Sequence, residues 1–216
     1  MGKTGVLTVV SGFSGAGKGT VMKALLAKYE YALSTSATTR SPREGEVNGR
    51  EYFFLSKEEF EAMIEGEELI EWAQYVGNYY GTPKKYVEQQ LAEGKNVILE
   101  IEVQGALNVK KMFPDALLIF VTPPSAQDLK ARLIGRGTES MDTINDRMRR
   151  AAEESVHMCQ YDYISVNDVL EECVEDINAV IQQASDYKQQ GTSFHTEKNF
   201  ANIIEKMQQE LQAINE

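Results

Sequence analysis

Gly12-Phe13-Ser14-Gly15-Ala16-Gly17-Lys18 has the form GxxxxGK. Glycines at this spacing let several backbone N–H groups turn inward around a phosphate chain. A helix that follows adds its positive end. Lys18 supplies a point charge for β- and γ-phosphates. The pattern ordinarily closes on Ser or Thr; here that slot is Gly19, and the hydroxyl comes one residue later at Thr20. The stretch lies between a predicted strand and a predicted helix, the context that separates a phosphate-binding loop from a glycine-rich surface turn. The residues from Gly12 to Thr20 are therefore expected to bind ATP or GTP. There is no NKxD-like guanine reader and no DxxG switch, which argues against a GTPase.

Three other clusters carry chemistry. Arg40 and Arg43 stand three apart in a segment rich in hydroxyls, and forked guanidiniums suit a phosphate dianion. Composition alone fits a solvated loop equally well. Glu100 and Glu102 close the apolar stretch VILEIE, so strand alternation puts both carboxylates on one side. Arg132 and Arg136 are four apart on a predicted helix and share a face. Arg147 lies on the next helix, with Arg149 and Arg150 beside it. Taken alone, these last arginines fit a solvated basic face.

The elements that must position these groups alternate. Val6 to Ser11, Tyr52 to Leu55, Leu69 to Val76, Val97 to Glu102, Leu117 to Thr122 and Tyr163 to Val166 read as strands. The runs around 97 and 117 are nearly all apolar, as in a parallel sheet covered on both faces. Helices are predicted over Val21 to Tyr29, from the capping box of Ser56 and Glu59, from Pro83 to about Gly94, and over Leu107 to Met112. Further helices are predicted over Ala126 to Leu133, Thr143 to Cys159 and Leu170 to Gln190. The pattern implies an α/β fold with a mostly parallel sheet. Beyond Gly191, Phe200, Ile204, Met207, Leu211 and Ile214 mark one face of an amphipathic helix. That face can pack on its own domain or against a second copy.

The chain of 216 residues is long enough for one domain with an insertion or appendage. Lys plus Arg number 22 against 33 Asp plus Glu, a net charge of −11. This excludes a generic nucleic-acid binder and requires any anionic ligand to be held by local cations. No apolar run approaches the roughly 18 residues of a membrane span. The N-terminus carries no signal-peptide pattern, so a cytoplasmic protein is expected. Cys159 and Cys173 suggest neither a disulfide framework nor a zinc site, and His157 and His195 fall in no catalytic pattern.

The segment SATTRSPREGEVNGREYFF (residues 36–54) resembles the signature of guanylate kinases, which phosphorylate GMP with ATP. IEWAQYVGNYYGTP, LEIEVQGA, PPSAQDLKARLIGRGTE and YDYISVND resemble further family blocks, in family order and spacing. The likeness runs from about Val6 to Gln190. It implies a P-loop kinase sandwich with core segments at about 1–33, 92–128 and 155–190. It also implies a GMP-binding region at about 34–91 and a helical lid at about 129–154, with 191–216 as an appended helix.

The resemblance also implies roles. Arg40 and Arg43 would grip the GMP phosphate with Tyr52 and Tyr80. Glu71 would read guanine, whose N1–H and 2-amino group are adjacent donors that one carboxylate can accept; adenine offers an acceptor at N1 instead. Ser36 and Thr82 fall at positions that address the base. Glu100 and Glu102 would lie between the nucleotides, with Glu102 standing where many members carry Asp. Thr20 and Glu100 would hold Mg2+ through water. Arg132, Arg136 and Arg147 would close over the phosphates with Lys18, Gly135 and Gly137 serving as hinge points, and Asn167 would lie near the adenine. Phe13 stands where the family usually has Pro.

The expected activity is direct transfer from ATP to GMP, with dGMP as a further acceptor. Two rivals are a non-catalytic guanylate-kinase-like module and a related kinase acting on a phosphorylated sugar. The intact phosphate loop and arginine lid oppose the first, and Glu71 and Thr82 oppose the second.

Overall fold

The computed structural model describes residues 4–75, 77–137 and 139–215. Its centre is a five-stranded parallel sheet in the order β2-β7-β1-β8-β9. These strands are β1 (Leu7–Gly12), β2 (Ala32–Leu33), β7 (Val97–Glu100), β8 (Leu117–Thr122) and β9 (Tyr163–Val166). Val9 aligns with Leu99 on one side and Leu118 on the other. β1 and β8 are buried along their whole length, so both faces of the sheet are covered.

Helix α1 (Lys18–Lys28) follows β1 and packs against α7 (Leu170–Gln189), while α4 (Val103–Met112) packs on β1. A second, mixed sheet runs β4-β3-β6-β5: β3 (Ala37–Thr38), β4 (Phe53–Phe54), β5 (Leu69–Tyr75) and β6 (Asn78–Pro83). It has its own small core around Ala37, Phe60 and Leu69, with Phe60 stacked on Tyr79 at 5.2 Å. Helix α2 (Lys57–Glu65) starts from the expected capping box. Ser56 accepts from the Glu59 N–H, and the Glu59 carboxylate accepts from the Ser56 N–H.

Several boundaries differ from the sequence-based expectation. β7 ends at Glu100 rather than Glu102, because the pairing with β1 runs out at Val10. Glu102 becomes the N-cap of α4. Pro83 closes β6 and precedes α3 (Lys84–Ala92) rather than sitting inside it. The expected helix over 143–159 is α6 (Met141–Ser155), followed by a 3-10 turn at Met158–Gln160. Val76, expected at the end of a strand, lies outside the described residues.

The tail forms α8 (Ala201–Asn215). Met207 and Leu211 are fully buried, and Phe200, Ile203, Ile204 and Ile214 join the main core. The apolar face that could have met a second copy is spent on this chain, against α5 (Ala126–Gly135) and α6.

Candidate active site

The loop after β1 is built around three glycines with positive φ: Gly12 at 147°, Gly15 at 99° and Gly17 at 93°. Space is closed to side chains as well. A Cβ on Gly12 would stand 2.0 Å from the Val121 carbonyl oxygen, and one on Gly17 would stand 2.6 Å from Asn167 Nδ2. Phe13 anchors the loop from beneath, fully buried and edge-on to Phe120 at 4.9 Å. Gly17 is the N-cap of α1. The helix therefore opens with its unpaired N–H groups and positive end at the loop. Lys18 Nζ donates to the carbonyl oxygens of Gly12 at 2.7 Å and Phe13 at 3.2 Å. Gly19 and Thr20 are exposed on the first turn.

Two of the three expected arginines reach this loop. Arg132 on α5 donates to Ala16 O at 3.2 Å and to Asn167 O at 2.7 Å, and Asn167 Nδ2 donates to Ala16 O at 2.8 Å. Asn167 thus clamps the loop from the end of β9. Arg147 on α6 donates to Ser14 Oγ and to Glu139. Arg147 Nε and Glu139 Oε2 are buried with no further partner among the described residues. Arg136 is not brought to the loop. It is the C-cap of α5 and is exposed.

A second cluster forms on the mixed sheet. Arg40 meets both oxygens of Glu46 through one guanidinium nitrogen, at 2.9 and 3.0 Å. It lies over the Tyr52 ring at 5.4 Å, and Tyr52 stands edge-on to Tyr80 at 6.0 Å. The Glu46 carboxyl is held below its ordinary range by the Arg43 N–H and by Arg40. The Arg43 residue is otherwise exposed, and Ser36 is half-buried beside β3.

Glu71 is the chemically distinctive residue of this cluster. A β-bulge between Leu69 and Trp72 interrupts the alternation of β5, so Leu69, Ile70 and Glu71 are buried in succession. Thr82, which is fully buried, donates to Glu71 Oε1 at 2.7 Å. Burial pushes the Glu71 carboxyl above the usual carboxylate range, with the Thr82 hydrogen bond pulling the other way.

Glu100 lies between the clusters. The position of a Cβ on Gly19 would be 3.9 Å from its Oε1. Partial withdrawal from water raises its pKa, Lys18 opposes that, and Glu102 adds to it. Strand alternation is therefore not what brings Glu100 and Glu102 together: Glu102 reaches the same region from the N-terminus of α4.

The guanylate kinase family model matches residues 4–184. A guanylate kinase of Halalkalibacterium halodurans is 55% identical over 179 residues, covering 82% of this chain and 87% of that protein. One from Bacillus subtilis is 53% identical over 185 residues, covering 84% and 90%. The chain belongs to the guanylate kinase family. Among solved structures, the guanylate kinase of Anaplasma phagocytophilum superposes with a TM-score of 0.68 at 33% identity, over 84% of this chain and 87% of that one.

Within the guanylate kinase frame, the structure adds residues that sequence reasoning missed. Glu46 holds Arg40; its only signal was an acid six residues downstream among arginines. Gly105, in the LEIEVQGA block, leaves room for the Glu71 carboxylate: a Cβ there would stand 2.9 Å from Glu71 Oε2. Glu154 is buried on α6, pairs with Arg150 at 3.1 Å and is pushed up in pKa by burial and then by Glu102. Nothing in its spacing marks it off from the other acids of that helix.

The donors near the phosphate loop also bear on a metal. Among the described residues, no three His, Cys, Asp or Glu side chains converge to cage an ion. The Thr20 hydroxyl and the Glu100 carboxylate are hard oxygen donors, the kind Mg2+ accepts alongside phosphate oxygens and water.

Proposed function

We propose that this chain transfers the γ-phosphoryl group of ATP to a phosphate oxygen of GMP, giving ADP and GDP, with the two side-chain clusters holding one nucleotide each. The observation that carries this is the buried Glu71 carboxylate, fixed by Thr82 and opened by Gly105 on the same small sheet as the Arg40–Tyr52–Tyr80 clamp. A buried acceptor for two adjacent donors, beside a phosphate clamp, is a guanine nucleotide site. A sugar phosphate offers separate hydroxyl donors and no flat edge carrying two adjacent N–H donors to match that carboxylate.

The residues divide the work. Gly12 to Thr20 cradle the ATP phosphates, with Phe13 fixing the loop from below, and Asn167 borders the adenine. Arg40, Arg43, Tyr52 and Tyr80 take the GMP phosphate. Glu71, Thr82 and Ser36 face the base, and Thr82 acts through Glu71. Glu102 borders the same nucleotide from the start of α4. Lys18, Arg132 and Arg147 neutralise the charge that spreads over the transferring oxygens, and Arg136 joins them when the lid closes. Thr20 and Glu100 would hold Mg2+ through water; when bound, the ion screens the β- and γ-phosphates. The boundaries follow: a GMP-binding region at about 34–91, a lid at about 129–154, and the remaining core carrying the parallel sheet. Gly137, at a φ of 64° with open space around it, is suited to a hinge.

The test is ADP release by the purified chain with ATP and Mg2+ against GMP, dGMP, AMP, CMP, UMP and a panel of phosphorylated sugars. Turnover with the guanine nucleotides alone is expected. Turnover with a sugar phosphate would overturn the base-reading role of Glu71. No turnover with any acceptor, with GMP binding retained, would replace the kinase with a binding module.

A further inference from the structure

The C-terminal helix begins beyond the residues that match the family model, yet it touches both helices that carry the loop-facing arginines. Two of its polar side chains go to groups that a helix end leaves unsatisfied. Glu210 accepts from the Ala126 N–H at 2.9 Å, at the first residue of α5. The cap residue Ser125 already serves the Asp128 N–H, so Glu210 covers a different orphan donor and puts a carboxylate on the helix's positive end. Gln208 Nε2 donates to Ser155 O at 3.0 Å, at the last residue of α6. Asn215 Nδ2 donates to Met148 O at 3.2 Å, inside α6.

The other end of the tail is tied to the core. Lys198, three residues before α8, donates to Asp176 on α7 at 3.0 Å and also to the Tyr163 hydroxyl on β9. The tail therefore runs from the core sheet to the start of one arginine helix and the end of the other. Arg132 lies six residues from the Ala126 pin and Arg147 eight from the Ser155 pin. At 1.5 Å per residue, these are about 9 Å and about 12 Å along stiff helices. An axial slip at a pinned end is delivered undiminished at the arginine.

We propose that Glu210 and Gln208 are positioning residues for phosphoryl transfer: they set the axial register of α5 and α6, and through it the placement of Arg132 and Arg147 over the phosphate loop. This rests on the proposal that those two arginines neutralise the transferring group. Neither residue touches a nucleotide. Their effect falls on the arginines and leaves the GMP clamp on the mixed sheet alone.

Steady-state kinetics on the full chain test it, with Arg132→Ala as the reference for loss of an arginine. Glu210→Ala should lower kcat about tenfold, the scale of a sub-ångström misplacement, with KM for GMP within about twofold. Glu210→Gln keeps an oxygen that accepts from the Ala126 N–H and should recover most of the rate. Gln208→Ala should act in the same direction. Val180→Ala, a buried change on α7 and so outside α5, α6 and α8, controls for lost stability alone; it should lower the melting temperature and leave kcat intact. If Arg132→Ala is slow while Glu210→Ala and Gln208→Ala match the parent, the positioning role is overturned and the arginine role stands. If Arg132→Ala is itself as fast as the parent, the arginine role fails first and the inference falls with it. Equal loss in Glu210→Gln and Glu210→Ala, or a matching loss in Val180→Ala, overturns it as a mere stability effect.

Discussion

Replacing Gly105 with alanine separates what a helix prefers from what the site needs. Gly105 sits inside α4 with ordinary helical φ. Alanine there should favour the helix by about 0.5–1 kcal/mol. The added Cβ would stand 2.9 Å from Glu71 Oε2 and 3.3 Å from Ile101 Cδ1. The first contact is with the end of a flexible side chain, so the carboxylate gives way and the backbone stays. Regaining ordinary contact takes a retreat of about half an ångström. That is enough to stretch the 2.7 Å bond from Thr82 and to spoil the alignment with guanine's paired donors. A hydrogen bond to a charged acceptor is worth about 1.5–3 kcal/mol. Losing one of the two should cut kcat/KM for GMP by about tenfold to a hundredfold. The KM for ATP should hold, and the melting temperature should stay level or rise. The assay is coupled ADP release with GMP varied at saturating ATP, beside a thermal melt. A KM for GMP within about twofold of the parent's, in a normally melting protein, would refute the claim that Gly105 is where the base reader finds its room.

Other changes divide the site along the same lines. Lys18→Ala should lower kcat by about a thousandfold with little change in melting temperature, because among the described residues its ammonium bonds the Gly12 and Phe13 carbonyls alone. Arg40→Ala should raise KM for GMP by about tenfold or more and leave KM for ATP unchanged, read from the same assay. Glu71→Gln should abolish GMP selectivity and also raise stability at about pH 8. The folded-state pKa of Glu71 is raised by burial, so the native chain binds this proton more tightly than the unfolded chain, and stability is lost as pH rises through the raised value. The gain from Gln should shrink toward about pH 3, below the ordinary Glu value of about 4.3, where the carboxyl is protonated in both states; a gain that does not vary with pH in denaturant titrations would count against a buried charge. Leu211→Ala should cost about 2–5 kcal/mol in the same titrations, since Leu211 is fully buried under α5 and α6. A cost under about 1 kcal/mol would mean that the tail does not belong to the core.

The phosphate loop, the parallel strands and the apolar face of the tail were legible because each is written in local spacing: glycines, unbroken apolar runs, and a 4-3-4-3 repeat. The features that bury and surround Glu71 were not, because they join distant segments. The bulge that turns Glu71 inward depends on how β5 meets β6, and the room for its carboxylate comes from Gly105, on a helix of the other layer. The run VILEIE reads as strand to its end, but the ladder with β1 stops at Val10 and Glu100, and beyond it the Ser11 side chain, not its backbone, donates to the Ile101 carbonyl. Arg132 and Arg136 are four apart, but Arg136 sits at the exposed C-cap of α5, beyond the loop that Arg132 reaches.

Charge gives these placements a common logic. In a chain with a net charge of −11, a cation left free would be drawn to whichever acid was nearest. The working cations are instead parked on weak or divisible partners. Lys18 rests on two carbonyl oxygens, Arg132 on the Ala16 and Asn167 carbonyls, and Arg147 on a serine hydroxyl and Glu139. Arg147 departs from this at Glu139, and so does Arg40, which holds the full carboxylate of Glu46. Both Glu46 contacts use one of its terminal nitrogens, and the other donates to Ser41 O at 2.7 Å. A guanidinium has five N–H donors in a fixed fork, so an arriving phosphate can displace the carbonyl and leave the carboxylate in place. Glu46 then orients Arg40 in both states. On that argument Glu46→Gln should raise KM for GMP less than Arg40→Ala does. Glu46→Ala, which leaves the fork unanchored, should approach it. A Glu46→Ala variant that binds GMP more tightly than the parent would show that the carboxylate competes with the phosphate rather than presenting the arginine to it.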